Sequence, residues 1–206
     1  LPGPDRMYPD TDTPPARITR EQVESIAATL PQRPWEREER YREIGLADSV
    51  AYTLSRAEAR HTFDLVTKKT PVEPRIAAHA LLRIETVLGI CKPFFRLGEE
   101  HWIALFTALS EGKISRDALP ELVRSLIADS DVSVAKLVED MDLAVIDNDG
   151  LRNVLERLLD EIEFKGPASA AAHRFVMGRL RSSIGPRFNG QKAAEIVARE
   201  IAKHSS

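Results

Sequence analysis

The sequence predicts an all-α fold in which two small helical bundles follow a proline-rich extended linker. Three observations support this fold class. Apolar residues recur at helical spacing along most of the chain, capping residues and helix breakers divide those stretches, and a polar segment at 128–133 separates an earlier from a later set of helices. The most strand-like segment, 141–147, has no second strand to pair with. We therefore expect a linker over residues 1–18, a helical domain over 19–128 and a tail domain over 133–206.

Five prolines in the first 18 residues predict the extended linker, because proline lacks a backbone donor and disfavours helix in the residue before it. Thr19 is placed to cap the first helix, with Gln22 at the reciprocal position of a capping box and Pro31 ending the helix. The apolar stripe of this helix is expected to consist of Val23, Ile26, Ala27 and Leu30.

The later helices follow from the same start and stop signals. Pro34 is tolerated in a first helical turn, Gly45 supplies a left-handed stop, and Ser115 is expected to cap a run that tolerates Pro120 near its start. Helices are expected over 34–45, 47–69 with a break near Ser55 left open, 75–89, 99–111, 115–128, 134–141, 147–164, 168–183 and 190–203. Inward candidates include Ile76, His79, Val87, Phe63, Trp102, Phe106, Leu151, Val154, Leu155, Leu158, Leu159 and Ile162.

Composition limits the class of protein. A hydrophobic content of 43% with 30% charged residues is ordinary for a soluble globular chain of 206 residues. The single Cys91 cannot form an internal disulfide, which favours a reduced, cytoplasmic setting. No apolar run approaches the roughly 20 residues of a membrane helix, and no signal peptide opens the chain. Because Leu1 begins what resembles the middle of a loop, we expect a piece of a longer protein, without a membrane partner.

No catalytic or metal-binding constellation is visible in the sequence. It has no phosphate-cradling glycine loop, nucleophile elbow or HExxH motif, and its five histidines are scattered. His79 and His101 are interpreted as packing residues, and Cys91 as a small buried side chain. Asp5, Asp10 and Asp12 are interpreted as part of a solvated linker, because their spacing matches no ion-binding loop. We expect no catalytic residue, metal or cofactor in this chain.

Charge is distributed unevenly along the chain. Residues 117–164 carry four basic and thirteen acidic side chains, a net charge of −9, whereas 165–206 carry eight basic and two acidic side chains, a net charge of +6. A basic end suggests a site for a polyanion. Charge segregation without any ligand remains the alternative at this point.

The last two helices place basic residues on defined faces. Arg174 and Arg181 align along one helix with Gly178 between them, and a glycine inside a helix costs about 1 kcal/mol relative to alanine. Something is therefore expected to approach the backbone at Gly178, with another helix favoured over a nucleic acid. Lys192, Arg199 and Lys203 share a face of the final helix opposite Ala194, Val197, Ala198 and Ile201, and Arg187 lies in the turn 183–190. This surface is either phosphate-contacting or a solvated helical face.

Several motifs resemble one known family. They are GKIS at 112–115, DMDL followed by ID within 140–147, and VMG at 176–178 followed by a basic glycine turn. Their order and spacing resemble the ending shared by the B-type and E-type subunits of glutamyl-tRNA(Gln) amidotransferases and by a small stand-alone family. The opening RMYPDTDTPP, residues 6–15, resembles the sequence leaving the catalytic domain of the archaeal E-type subunit. Leu180 and Gly185-Pro186 depart from the family pattern.

The resemblance implies a helical domain and a mobile tail domain that holds the outer corner of tRNA(Gln). It implies ATP, Mg²⁺ and the amidation chemistry for a catalytic domain outside this chain, and a glutaminase-like, asparaginase-like protein partner. Contacts carried over by position are Arg174, Gly178, Arg181, Arg187 and Lys192, to which the basic face adds Arg199 and Lys203. Two hypotheses remain: a non-catalytic tRNA-binding appendage of an ATP-dependent ligase, and a helical module that docks the glutaminase partner without RNA contact. A stand-alone enzyme ranks third.

Overall fold

A computed structural model describes residues 16–89, 94, 96–161 and 169–204, which form helices joined by short turns. The helices are α1 (Arg20–Thr29), α2 (Pro34–Glu43), α3 (Asp48–Arg56), α4 (Arg60–Lys69), α5 (Pro74–Leu88), α6 (Glu99–Ser110), α7 (Leu119–Ala128), α8 (Val134–Asp140), α9 (Asn148–Glu161), α10 (Ala170–Ile184) and α11 (Gly190–His204). The described residues contain no strand, only an isolated antiparallel bridge between Ile114 and Ala144. The all-α prediction is confirmed. Most of the predicted linker, Cys91, Asp5, Asp10 and Asp12 lie outside the described residues.

Local chemistry sets the helix ends. The predicted capping box of α1 is present, since the Gln22 amide donates to Thr19 Oγ1 at 3.3 Å and the Thr19 amide donates to Gln22 Oε1 at 2.9 Å. The predicted helix 47–69 is two helices, α3 and α4, separated at 57–59. Ser115 caps a 3₁₀ turn, Arg116–Ala118, and α7 begins only after that turn, at Leu119.

Helices α2 to α8, the first group, surround one hydrophobic core. Its largest fully buried side chains include Tyr41, Phe63 and Phe106, and the rings of Tyr41 and Phe63 meet edge to face with centroids 4.9 Å apart. Val134 and Val138 join this core, so α8 packs with the first group. The predicted division into 19–128 and 133–206 stays a prediction. Residues up to Leu143 pack in the core of the first group, and the next core begins after Leu143.

Three predicted inward residues and the stripe of α1 do not pack as expected. Ile76, His79 and Val87 lie on the exposed side of α5, which instead buries Ala77, Ala80, Leu81 and Ile84. Helix α1 buries no residue, and Val23, Ile26 and Leu30 are each more than half exposed. The stripe exists in the sequence, but none of the residues that the structure describes covers it.

Helices α9 to α11, the tail group, surround a second core. Leu151, Leu155, Leu158 and Leu159 of α9 meet Val176, Leu180 and Ile184 of α10 and Ala193, Ile196, Val197 and Ile201 of α11. Val154 is partly buried against this core, and Ile162 lies outside the described residues. No helix in the described part of the chain is long and apolar enough to span a membrane.

Candidate nucleic-acid interface

The exposed face of α10 carries the centre of the predicted site. Ser169 caps the helix by accepting from the Ala172 amide at 3.1 Å, and the tail core takes the side that bears Val176, Leu180 and Ile184. Helical geometry then leaves Arg174, Gly178 and Arg181 together on the opposite, exposed side. The predicted alignment of these three residues is therefore present.

Gly178 is exposed in the middle of this face. A Cβ built there meets no atom within 4 Å, and the residue does not have positive φ. The expectation that another helix packs against Gly178 is therefore wrong for the described residues. Neither conformation nor crowding within the described chain requires glycine here, so the backbone is open to a partner from outside.

The final helix presents a second basic face. Asn189 caps it by accepting from the Gln191 amide at 3.0 Å and the Lys192 amide at 3.3 Å, and the Lys192 and Arg199 side chains are exposed. Its buried stripe is rotated from the predicted one: Ala193 and Ile196 are buried, Ala194 is half-buried and Ala198 is exposed. The side of α11 that is buried depends on how α9 and α10 pack against it, and the spacing of apolar residues within α11 does not contain that information.

Lys203 forms an ion pair with the buried side chain of Glu200. The Lys203 ammonium lies 2.7 Å and 3.0 Å from the two carboxylate oxygens of Glu200, whose side chain is only 5% exposed. This ion pair contributes to neutralising the buried carboxylate, while the Lys203 side chain itself is 62% exposed. By contrast, Arg174, Lys192 and Arg199 make no ion pair with any residue that the structure describes.

His173 connects the two basic helices. Its Nε2 lies 3.1 Å from the Ala194 carbonyl oxygen, and a carbonyl can only accept, so Nε2 donates. This contact places the first half of α10, which bears Arg174, beside the first half of α11, which bears Lys192.

Arg181 and Arg187 already have acidic partners from the first group and its connection to the tail. Arg181 Nη2 donates to Asp117 Oδ2 at 2.8 Å, and Arg187 Nη1 donates to Asp142 Oδ2. The turn that holds Arg187 is not as exposed as predicted: its side chain is 32% exposed, and its Nε is buried without a partner among the described residues. Two of the seven predicted site residues therefore belong to the contact between the two groups.

Phe175 is a candidate site residue that the sequence pattern did not reveal. Its side chain is 54% exposed on the same face as Gly178, three residues away and therefore adjacent on the helix surface. Helical spacing from the core positions Val176 and Leu180 places residue 175 off the buried side of α10, and this spacing could have predicted its exposure. Aromatic rings stack well on nucleobases, and Trp35 and Tyr52 are exposed to a similar extent, at 59% and 55%.

Away from the two basic helices, His101 and Tyr41 make local hydrogen bonds. His101 Nε2 lies 2.9 Å from the Ser130 carbonyl oxygen, which matches its predicted packing role. Among the residues that the structure describes, no three His, Cys, Asp or Glu side chains come close enough to hold a metal ion. Burial raises the pKa of the Tyr41 phenol, aided by the Asp64 charge, and its hydroxyl donates to that carboxylate at 3.0 Å. This pair lies inside the first group and stabilises it.

Comparison with known proteins identifies the family to which the chain belongs. A family model described as the GatB domain matches residues 61–201. The chain belongs to the GatB domain family. The match runs from α4 to α11, so it covers the tail core, the part of the first core that α4 to α8 supply, and every predicted site residue except Lys203.

Relatives of this GatB domain chain share one description, the E-type subunit of glutamyl-tRNA(Gln) amidotransferase. The chain is 31% identical over 207 residues to the relative from Thermococcus gammatolerans, covering 100% of the chain and 33% of the relative. The relative from Methanocaldococcus jannaschii is 29% identical, with coverages of 98% and 32%, and that from Methanopyrus kandleri is 34% identical, with 63% and 21%. The chain thus spans about a third of the length of the first two relatives.

Proposed function

We propose that this chain is the tRNA-binding and tRNA-positioning region of a glutamyl-tRNA(Gln) amidotransferase and takes no part in the chemical steps. The observation that carries the proposal is the exposed face of α10, where the open backbone at Gly178 lies between Arg174 and Phe175 on one side and Arg181 on the other. A phosphate backbone needs a cation and close access, and both are present at this face.

Electrostatics support the same face. The tail end of the chain, 165–206, has a net charge of +6, and Arg174, Lys192 and Arg199 are exposed and unpaired among the described residues. When exposed arginines neutralise phosphates, the counterions condensed on the RNA are released. This release supplies a large share of the affinity for RNA. Phe175 adds a flat apolar surface on which an unpaired base or a ribose can pack.

Under this proposal, the chemical steps take place in the part of the enzyme that lies outside this chain. The relatives are named for an amidotransferase that acts on glutamyl-tRNA(Gln), and about two thirds of their length lies outside the match. We assign to that remainder an ATP-dependent C–N ligase activity with its Mg²⁺ and the docking of a glutaminase partner. The role left for this chain is to hold the outer corner of tRNA(Gln).

Binding of tRNA(Gln) as a function of salt tests the proposal. We expect the affinity of the full chain to fall as salt rises, and Arg174→Gln to reduce the slope of log K against log salt by roughly 0.7 to 0.9, the value for one lost phosphate contact. Arg124→Gln is the matched control, since it removes an exposed arginine from α7 in the first group. Equal effects of the two variants, or no binding at low salt, refute direct contact through α10.

A second candidate function is supported by α1. Its stripe of Val23, Ile26 and Leu30 is exposed, and a ten-residue helix without tertiary packing is marginal in water. A docking role toward the glutaminase partner predicts that Ile26→Asp abolishes capture of that partner and leaves tRNA affinity unchanged. Glu24→Gln, on the same helix, is the control. Capture that survives Ile26→Asp excludes this role for α1.

A further inference from the structure

The two helical groups are joined by turns rather than by packed helices. Residues 113–117 and 142–143 on the side of the first group, with 145–146, Arg181, Pro186 and Arg187 on the side of the tail group, form what we call the junction; Ile146 packs against the tail core. Within it the Val145 amide donates to the Lys113 carbonyl at 2.9 Å and the Ile146 amide donates to the Arg187 carbonyl at 2.8 Å. The Ser115 hydroxyl donates to the Pro186 carbonyl. These contacts are few, and they adjoin both cores, because Ile114 is buried in the first core and Ile146 packs against the tail core.

Asp117 is the charged centre of the junction. Its carboxylate lies 2.8 Å from Arg181 Nη2 of α10 and 3.4 Å from Arg83 Nη2 of α5. The carboxylate is only 25% exposed, so water screens this pair less than it screens a fully exposed one. One acidic side chain of the first group therefore occupies an arginine of the tail.

Asp142 makes the second ion pair of the junction. Its φ is +51°, a left-handed conformation that aspartate and asparagine tolerate better than other residues with a side chain. In that conformation its carboxylate pairs with Arg187, while the carbonyl of Arg187 accepts from Ile146. Arg187 is thus held through both its side chain and its backbone.

We propose that Asp117 and Asp142 act as internal anions that occupy Arg181 and Arg187, so that RNA phosphates must displace them and thereby release the tail group from the first group. A guanidinium fork that binds a carboxylate binds a phosphate oxygen with the same geometry, and the two anions compete for it. RNA binding and opening of the junction are consequently linked, and each favours the other. This inference rests on the proposed tRNA-binding function.

Two asparagine variants test the junction without RNA. Asp117→Asn and Asp142→Asn remove one charge each, and asparagine also tolerates the backbone conformation of residue 142. Pairs of this exposure correspond to a factor of about 1.5 to 5 in the opening equilibrium. We expect hydrogen exchange of the Val145 amide, which donates to the Lys113 carbonyl across the junction, to accelerate by that factor in the full chain. Exchange of the Leu155 amide, within α9 of the tail core, should stay unchanged.

The controls are neighbouring carboxylates outside the junction. Glu121 and Asp140 are exposed and form no ion pair with any residue that the structure describes, so Glu121→Gln and Asp140→Asn change net charge equally. Unchanged exchange at Val145 in both junction variants, or equal acceleration in the controls, overturns the proposal.

Binding of tRNA(Gln) to the same variants tests the competition. If binding requires the open junction, affinity rises by the same factor as the exchange rate, beyond any rise in the controls. Faster exchange with unchanged or weaker affinity overturns the competition between carboxylate and phosphate. Absence of binding in the unmodified chain and in every variant refutes the proposed function and the competition together. The exchange rates then still decide whether the ion pairs hold the junction closed.

Discussion

Substitution of Gly178 by alanine separates the stability of α10 from its proposed contact with RNA. A glycine inside a helix destabilises it by about 0.5 to 1 kcal/mol relative to alanine. The added Cβ meets nothing within 4 Å, so no steric cost offsets this gain. We expect Gly178→Ala to raise the free energy of unfolding by about 0.5 to 1 kcal/mol, which corresponds to roughly 1 to 4 °C in Tm for a chain of this size.

The same variant should bind tRNA(Gln) less tightly. A methyl group at the centre of the exposed face keeps a phosphate backbone further from the helix, and Gly178→Leu should weaken binding more than Gly178→Ala. Ala104→Leu adds bulk to an exposed position of α6 in the first group and serves as the control. Thermal denaturation and a salt-matched binding titration measure the two effects. A destabilised Gly178→Ala variant, or full tRNA affinity in Gly178→Leu, contradicts this account of the glycine.

Four further substitutions follow from stacking, burial and charge. Phe175→Ala should lower tRNA affinity by about 1 to 3 kcal/mol, the range for one lost stacking contact, and leave Tm unchanged; full affinity excludes stacking. Val23→Asp should leave the free energy of unfolding unchanged because Val23 is 53% exposed, whereas Leu155→Ala should cost about 2 to 5 kcal/mol, and urea denaturation distinguishes these outcomes. Burial, and then the charge of Glu58, raise the pKa of the Glu85 carboxyl. Its contribution to stability is therefore present below the unfolded-state pKa and lost as pH rises through the folded-state pKa. Accordingly, Glu85→Gln should raise Tm at pH 7 but not at pH 3, and equal shifts at both pH values refute it.

The local features of the fold were predictable because their causes are local. The capping box at Thr19, the stop at Gly45 and the apolar side of α9 depend on residues a few positions apart, and the structure has all three. Burial of α1 was not predictable in this way. Its stripe has the right spacing, but burial requires a neighbour, and none is present among the described residues.

The candidate site also has features that follow from local spacing and features that depend on distant residues. The common face of Arg174, Gly178 and Arg181 follows from helical spacing and was predicted. The partners of Arg181 and Arg187 were not, because Asp117 and Asp142 are 64 and 45 residues away along the chain. Phe175 was missed because an aromatic side chain within a helix is usually part of the core. Its exposure depends on how α10 is rotated by packing against α9 and α11.

Crosslinking of tRNA(Gln) to the full chain, followed by mass-spectrometric mapping of the modified peptides, tests the central claim most directly. The proposed function predicts crosslinks on the exposed face of α10, at Arg174 and Phe175, and at the start of α11 near Lys192, with few on α2 to α6. Crosslinks confined to the first group, with the tail group unmodified, contradict it.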